Sequence, residues 1–152
     1  MKNEKLINEL KQAFIQAAKK RDFSEMRNIY DKLQLYTLGG DKNLPVVCFS
    51  EIDENNAIKM PPEVISYLKD FDADCIYILK NEYIALFFAE YTEDLANLLR
   101  LNYVEVKHLY IDDSLQLNQK ALKTLGLVVG DIVRFTVDTD NIFIDKLEPD
   151  YI

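Results

Sequence analysis

The stretch Ile58–Leu79, IKMPPEVISYLKDFDADCIYIL, decides the fold, because the chain contains it twice. Moved along by fifty-seven residues, it lies without a gap on Leu115–Thr136, LQLNQKALKTLGLVVGDIVRFT. Ile58 meets Leu115, Met60 meets Leu117, Val64 and Ile65 meet Ala121 and Leu122, and Leu68 meets Leu125. Beyond these, Ala73-Asp74 meet Gly130-Asp131, Ile76 meets Val133 and Ile78 meets Phe135. Apolar positions recur at fixed places, as in a unit whose core is repeated.

Around the first copy, LPVVCFSEI (44–52) reads as a strand ending in the turn-forming cluster Asp53-Glu54-Asn55-Asn56. Ala57–Met60 is a short strand. Pro61-Pro62 then open a short helix, since proline suits a first helical turn, and Val64, Ile65 and Leu68 form its apolar face. CIYILK and YIALFFAE are two strands about an Asn81-Glu82 turn. The second is nearly all apolar, which predicts cover on both faces. A linker helix is expected over 92–100. The second copy repeats the plan: a strand over 103–111, a short strand over 115–117, a helix over 118–125, and strands over 131–137 and 141–146. Its turn after the first strand is about two residues shorter, and Asn118 stands in the place of Pro61.

In front of this repeat, Leu6, Ile7, Leu10, Phe14 and Ala17-Ala18 recur at helical spacing. Asp22-Phe23-Ser24-Glu25 has the form of a capping box. A second helix follows with Met26, Ile29, Tyr30 and Leu33 on one face, stopping near Gly39-Gly40. Two amphipathic helices cannot bury both stripes alone, so they must pack on the remainder of the chain or on another molecule.

The formal charge of −8 is unevenly spread. Residues 1–38 hold eight Lys/Arg against five Asp/Glu, and residues 39–152 hold ten against twenty-one. That asymmetry marks a boundary, and it disfavours a grip on a phosphate backbone by the larger part. No apolar run is long enough for a membrane helix, and the start of the chain lacks the pattern of a secretory signal, so a cytoplasmic protein with no membrane partner is expected. Cys48 and Cys75 lie in apolar strands and are expected to be buried free thiols.

A strand, a turn, a short strand, a Pro-started short helix, then Leu125-Gly126-Leu127-Val128-Val129-Gly130-Asp131-Ile132-Val133 and a hairpin: this arrangement resembles the AbrB/MazE/MraZ swapped-hairpin family. The first copy carries the complementary part of the signature, Asp53 to Pro61. The resemblance covers about residues 45–147. It implies an α+β chain: a helical hairpin (1–40), then a duplicated β-barrel (41–152; copy one 45–89, copy two 103–147) forming an intrachain pseudo-dimer. Family members mostly bind DNA, through arginines at a Gly-Arg turn and at the start of the short helix. Here those places hold Asn56-Ala57, which is deleted in copy two, and Ile65 and Leu122. A lysine point charge does not replace a bidentate arginine on guanine. For DNA binding the remaining candidates are Lys19, Lys20, Arg21, Lys59, Lys120 and Lys123.

Catalytic chemistry is hard to assemble. His108 is the single histidine, the two cysteines make no metal spacing, and no glycine-rich phosphate loop occurs. No catalytic, metal or cofactor residue is assigned and no enzyme is expected. Asp74 and Asp131 are read as turn residues that satisfy backbone amides. The expected function is a non-enzymatic protein-interaction or regulatory module, antitoxin-, immunity- or inhibitor-like, with a protein partner and room for homo-oligomerisation. The alternative is a DNA-binding transcription regulator. Aromatics near Phe87-Phe88 and Tyr91 are candidates for a core or a partner patch.

Overall fold

The computed structural model describes residues 2–38, 45–69, 74–88, 100, 103–110, 112–138 and 141–147. Helices α1 (Lys2–Lys19) and α2 (Phe23–Leu38) pack as the expected hairpin. The chain turns between them with Arg21 in the left-handed region, at φ 56°. Asp22 caps α2, its Oδ1 accepting the Glu25 N–H at 3.2 Å. The reciprocal half of the capping box is not used, because the Asp22 N–H already donates to the Ala17 carbonyl at 3.0 Å, closing α1. The expected stop at Gly39-Gly40 lies outside the described residues.

The rest is β1 (Val46–Glu51), β2 (Ala57–Lys59), α3 (Pro62–Lys69), β3 (Asp74–Leu79), β4 (Ile84–Phe88), β5 (Glu105–Tyr110), β6 (Ser114–Gln116), α4 (Gln119–Leu125), β7 (Ile132–Val137) and β8 (Asn141–Lys146). The expected elements are found within about two residues of their read boundaries, the usual scatter of element ends. The linker helix over 92–100 falls outside the described residues but for Arg100. The two short helices begin differently. α3 follows Pro61 directly. Asn118 caps α4 by accepting the Ala121 N–H at 2.9 Å, and Gly126 ends that helix at φ 65°.

Six strands form one antiparallel sheet in the order β1-β7-β8-β4-β3-β5, and β2 pairs with β6 in a separate ribbon. Exchanging residues 46–88 with 105–146 maps these pairings onto themselves. β1–β7 becomes β5–β3, the hairpin β3–β4 becomes β7–β8, and β4–β8 and β2–β6 are unchanged. Ile58 pairs directly with Leu115, so residues equated by the sequence self-match sit opposite one another. A closed barrel is not formed among the described residues. The sheet ends at β1 and β5, and the single bridge Ile52–Ile58 joins β1 to the start of β2.

The structure corrects the self-match by one residue beyond the short helices. Cys75, Tyr77 and Leu79 join the main core with Val133, Phe135 and Val137, whereas Ile76 and Ile78 pack on the other face. The correspondence is therefore Tyr77 with Phe135, not Ile78 with Phe135, and copy two has one more residue between helix and strand. Slipping a strand by one residue exchanges its faces. Here CIYIL is apolar on both faces, so hydrophobicity could not reveal the slip. Upstream, Cys48 opposes Phe135 and Lys107 opposes Tyr77, which equates Cys48 with Lys107 and Phe49 with His108. That places two fewer residues between β5 and β6 than between β1 and β2, as the sequence indicated.

The main core lies between one face of the sheet and the layer formed by β2, β6, α3 and α4. β4 is covered on both faces as expected, with Ile84, Ala85, Leu86 and Phe87 all buried. The hairpin buries Phe14, Ala17, Ala18, Met26 and Ile29 against Val47, Phe49 and Leu147, so its apolar stripes are spent on the sheet. Cys48 and Cys75 are both buried free thiols. Among the described residues no helix is long and apolar enough to cross a membrane.

Candidate functional site

The two edge strands occupy equivalent places in the sheet but have different surroundings. On β1, the Ile52 N–H donates to the Asp131 carbonyl at 3.0 Å. Alternation of an antiparallel ladder then turns the even-numbered residues toward β7 and the backbone groups of Val47, Phe49 and Glu51 away from it. Two of those positions are sealed: Val47 and Phe49 are each 2% exposed. The Phe49 ring meets Phe14 at 5.4 Å and Tyr30 at 5.6 Å, both edge-on. Arg27 of α2 reaches Glu63 of α3 at 2.7 Å, drawing the two helices together beside the strand. Cys48 lies beneath. Burial first, and the Glu63 carboxylate second, push its thiol up to about 12, so it is protonated and unreactive near neutrality.

A cleft of about 900 Å³ remains between the hairpin turn and α3, lined in part by Arg21, Arg27, Glu51, Lys59, Glu63 and Lys69. Its acids serve the fold. Glu63 holds Arg27, Glu51 holds Arg21 at 3.0 Å, and Asp53 accepts the N–H groups of Asn55 and Ala57 at 2.8 and 3.0 Å. No group of three or more metal-type ligands occurs among the described residues.

The β5 edge carries less cover among the described residues. The Lys80 N–H donates to the Tyr83 carbonyl at 2.8 Å, which sets the β3–β4 ladder and turns Cys75, Tyr77 and Leu79 toward β5. Their partners Leu109, Lys107 and Glu105 face back to β3. Val106, His108 and Tyr110 therefore direct their N–H and C=O groups outward. Among the described residues no strand pairs with that side. His108 is exposed, Tyr110 is 70% exposed, and Tyr103 just before the strand is 50% exposed. Glu105 accepts from Asn118 Nδ2 at 2.9 Å and lies 3.6 Å from Lys107 and 3.9 Å from Lys120. The Lys107 ammonium sits over the Tyr77 ring, 4.7 Å from its centroid.

The lysines and arginine singled out from sequence fall into three groups. Lys19 and Lys20 are exposed at the end of α1. Arg21 is a clamp: its guanidinium donates to Glu51, to the Ala18 carbonyl at 2.6 Å and to the Gly130 carbonyl at 2.9 Å. Those bonds hold a residue whose positive φ is costly for a side chain other than glycine. Lys59 is exposed on β2, at the cleft, and Lys120 and Lys123 are exposed on α4. Asp131 satisfies its own turn, accepting the Val128 N–H at 2.9 Å, as expected. The Asp74 side chain, Phe88's and Tyr91 lie outside the described residues. Phe87 is interior at 2% exposure.

Sequence reasoning passed over Tyr103, Glu105, Lys107 and Tyr110. A signal existed, since EVKHLY places Glu105 and Lys107 on one face of a strand, and charged residues are a usual mark of an edge. Only the strand order places β5 last in the sheet among the described residues. Compared with protein-family models and with curated proteins, the chain matches none of them.

Proposed function

We propose that the chain is a non-enzymatic protein-interaction or regulatory module, of the kind that antitoxins, immunity proteins and inhibitors provide, built on two fused AbrB-like swapped hairpins. Several features support the scaffold. The pairings are symmetric under exchange of the two halves, each half lending its first strand to the other's hairpin. Asn56, at the place of the family's turn glycine, adopts the left-handed φ of 59°. One such unit is too small to bury its own faces, which gives a physical reason for fusing two.

The observation that carries the interaction reading is the pair of exposed aromatics Tyr103 and Tyr110 beside β5, the last strand of the sheet among the described residues. Unpaired strand edges bind extended segments through main-chain hydrogen bonds, and aromatics anchor interfaces. The chain's charge of −8 and the commitment of Arg21 to three acceptors weigh against DNA as the ligand.

The test is affinity purification from the native host with wild-type chain and Val106→Pro as paired baits. Proline at 106 removes an N–H aimed away from β3, so it blocks the edge without breaking the ladder. A protein retained by wild type and lost by the variant is expected. Equal capture by both baits counts against the edge. A salt-sensitive shift of duplex DNA by the purified protein supports the transcription-regulator alternative instead.

A further inference from the structure

We propose that the cleft between the hairpin turn and α3 is a binding site for a small organic anion, a carboxylate or phosphate carried on an apolar body. The site is separate from β5, and the proposal goes beyond the interaction reading.

The polar groups that line the cleft select that class by what they leave unused. Four cationic and four acidic side chains line it. Glu51 and Glu63 neutralise Arg21 and Arg27. Asp22 accepts the Glu25 N–H at the start of α2, and Asp53 accepts two N–H groups of its own turn. The Ser50 hydroxyl donates to the Lys59 carbonyl at 2.6 Å. What remains is Ser24, Lys59, Ser66 and Lys69, whose side chains form no hydrogen bond or ion pair among the described residues. Two hydroxyls and two ammonium groups offer donors and positive charge. A ligand matched to them brings acceptor oxygens and negative charge.

The unused groups stand on both walls. Ser24 lies in the first turn of α2. Pro62, Ser66 and Lys69 follow at helical spacing along α3 and so share one of its faces. Lys59 ends β2. Phe23 on one wall and Pro62 and Ile65 on the other keep some exposure and supply the apolar surface. The volume of about 900 Å³ lies within the range of small-molecule sites. A ligand there spans hairpin and α3, beside the Arg27–Glu63 link.

The other half of the molecule supplies the control. Lys59, Ser66 and Lys69 correspond to Gln116, Lys123 and Gly126. The hairpin docks on β1, so among the described residues α4 faces no second wall. Lys120 and Lys123 are exposed cations on the equivalent helix without a cleft.

The test is a titration of the full chain followed by amide proton–nitrogen correlation spectra. Phenyl phosphate and phenylacetate are the probes, and phenol is the uncharged control. At least one anion is expected to shift the amides of Ser24, Ile65, Ser66 and Lys69 saturably, with phenol bound about tenfold more weakly or less. The tighter of the two anions tells a phosphate site from a carboxylate site. Lys59→Gln with Lys69→Gln should weaken that anion about tenfold or more. Lys120→Gln with Lys123→Gln removes the same charge and should leave binding unchanged. All four lysines are exposed, so both double variants should keep the dispersion of the wild-type spectrum. The absence of saturable shifts with both anions up to their solubility limits overturns the proposal. So does equal weakening by the two double variants, or phenol bound as tightly as the anions.

Discussion

β1 and β5 are the same strand by position and opposites by environment. Each lends itself to the other half's hairpin, and each ends the sheet among the described residues. Yet Phe49 on β1 lies under two aromatic rings from the hairpin, and its counterpart His108 on β5 is exposed. Cys48 is sealed near the Arg27–Glu63 pair, whereas its counterpart Lys107 reaches across the face of Tyr77. The same divergence appears one strand pair inward. Arg134 and Asp145 pair across β7–β8 at 2.6 and 3.1 Å, and Tyr30 lies 3.4 Å from Arg134. In the other half that register position holds Ile76 opposite Phe87. Symmetry of backbone pairing thus coexists with asymmetry of side chains, and the asymmetry follows where the hairpin docks.

The largest expected effect comes from breaking that docking. Phe49→Ala removes a fully buried ring and leaves a cavity between hairpin and sheet, at a cost of about 3–5 kcal/mol. His108→Ala, at the matching exposed site, should cost well below that, since it opens no buried cavity. Urea unfolding of the two variants measures the difference, and similar values would mean that the edges are not distinct.

An intermediate effect belongs to the sealed thiol. In the unfolded chain Cys48 ionises near 9.0, and in the folded chain near 12. Between those values the folded state keeps a proton that the unfolded state has released, so stability falls as pH rises through the window, by about 1.4 kcal/mol per pH unit at most. Burial also raises the Tyr77 hydroxyl, adding a loss in the same direction at higher pH. Cys48→Ala should flatten the first part of the alkaline decline in a series of urea unfolding curves. An unaltered slope would show that Cys48 is not protected by the fold.

The smallest effect sharpens the comparison one layer inward. Arg134→Met removes a bidentate, partly buried pair and a contact to the hairpin, at about 1–2 kcal/mol, the scale of hydrogen bonds to charged groups. Because Asp145 keeps some solvent exposure, the loss should stay below that of Phe49→Ala. Thermal unfolding of the variant against Asp145→Leu and the double variant would reveal whether the two residues act as a pair, through non-additivity.

Much of this fold was legible from side-chain periodicity. The hairpin stripes, the proline-started helix, the turn clusters and the apolar repeat each follow from local chemistry, and the elements stand where that chemistry put them. The repeat's register beyond the helices was not legible, since Ile76, Tyr77 and Ile78 are all apolar and a slip leaves the pattern intact. The candidate site was legible only in fragments. Arg21 looked like a free cation in a basic run, but its role depends on the carbonyls of Ala18 and Gly130 and the carboxylate of Glu51, which come from three parts of the chain.

By itself the sequence determined which segments are helix or strand and that two halves share one plan, because apolar spacing and turn residues act over a few neighbours. The tertiary structure decided which strands meet, which of two equivalent edges the hairpin seals, and which one is left with outward-facing backbone groups. Strand order and edge cover arise from contacts between residues far apart in the chain, and no local pattern records them.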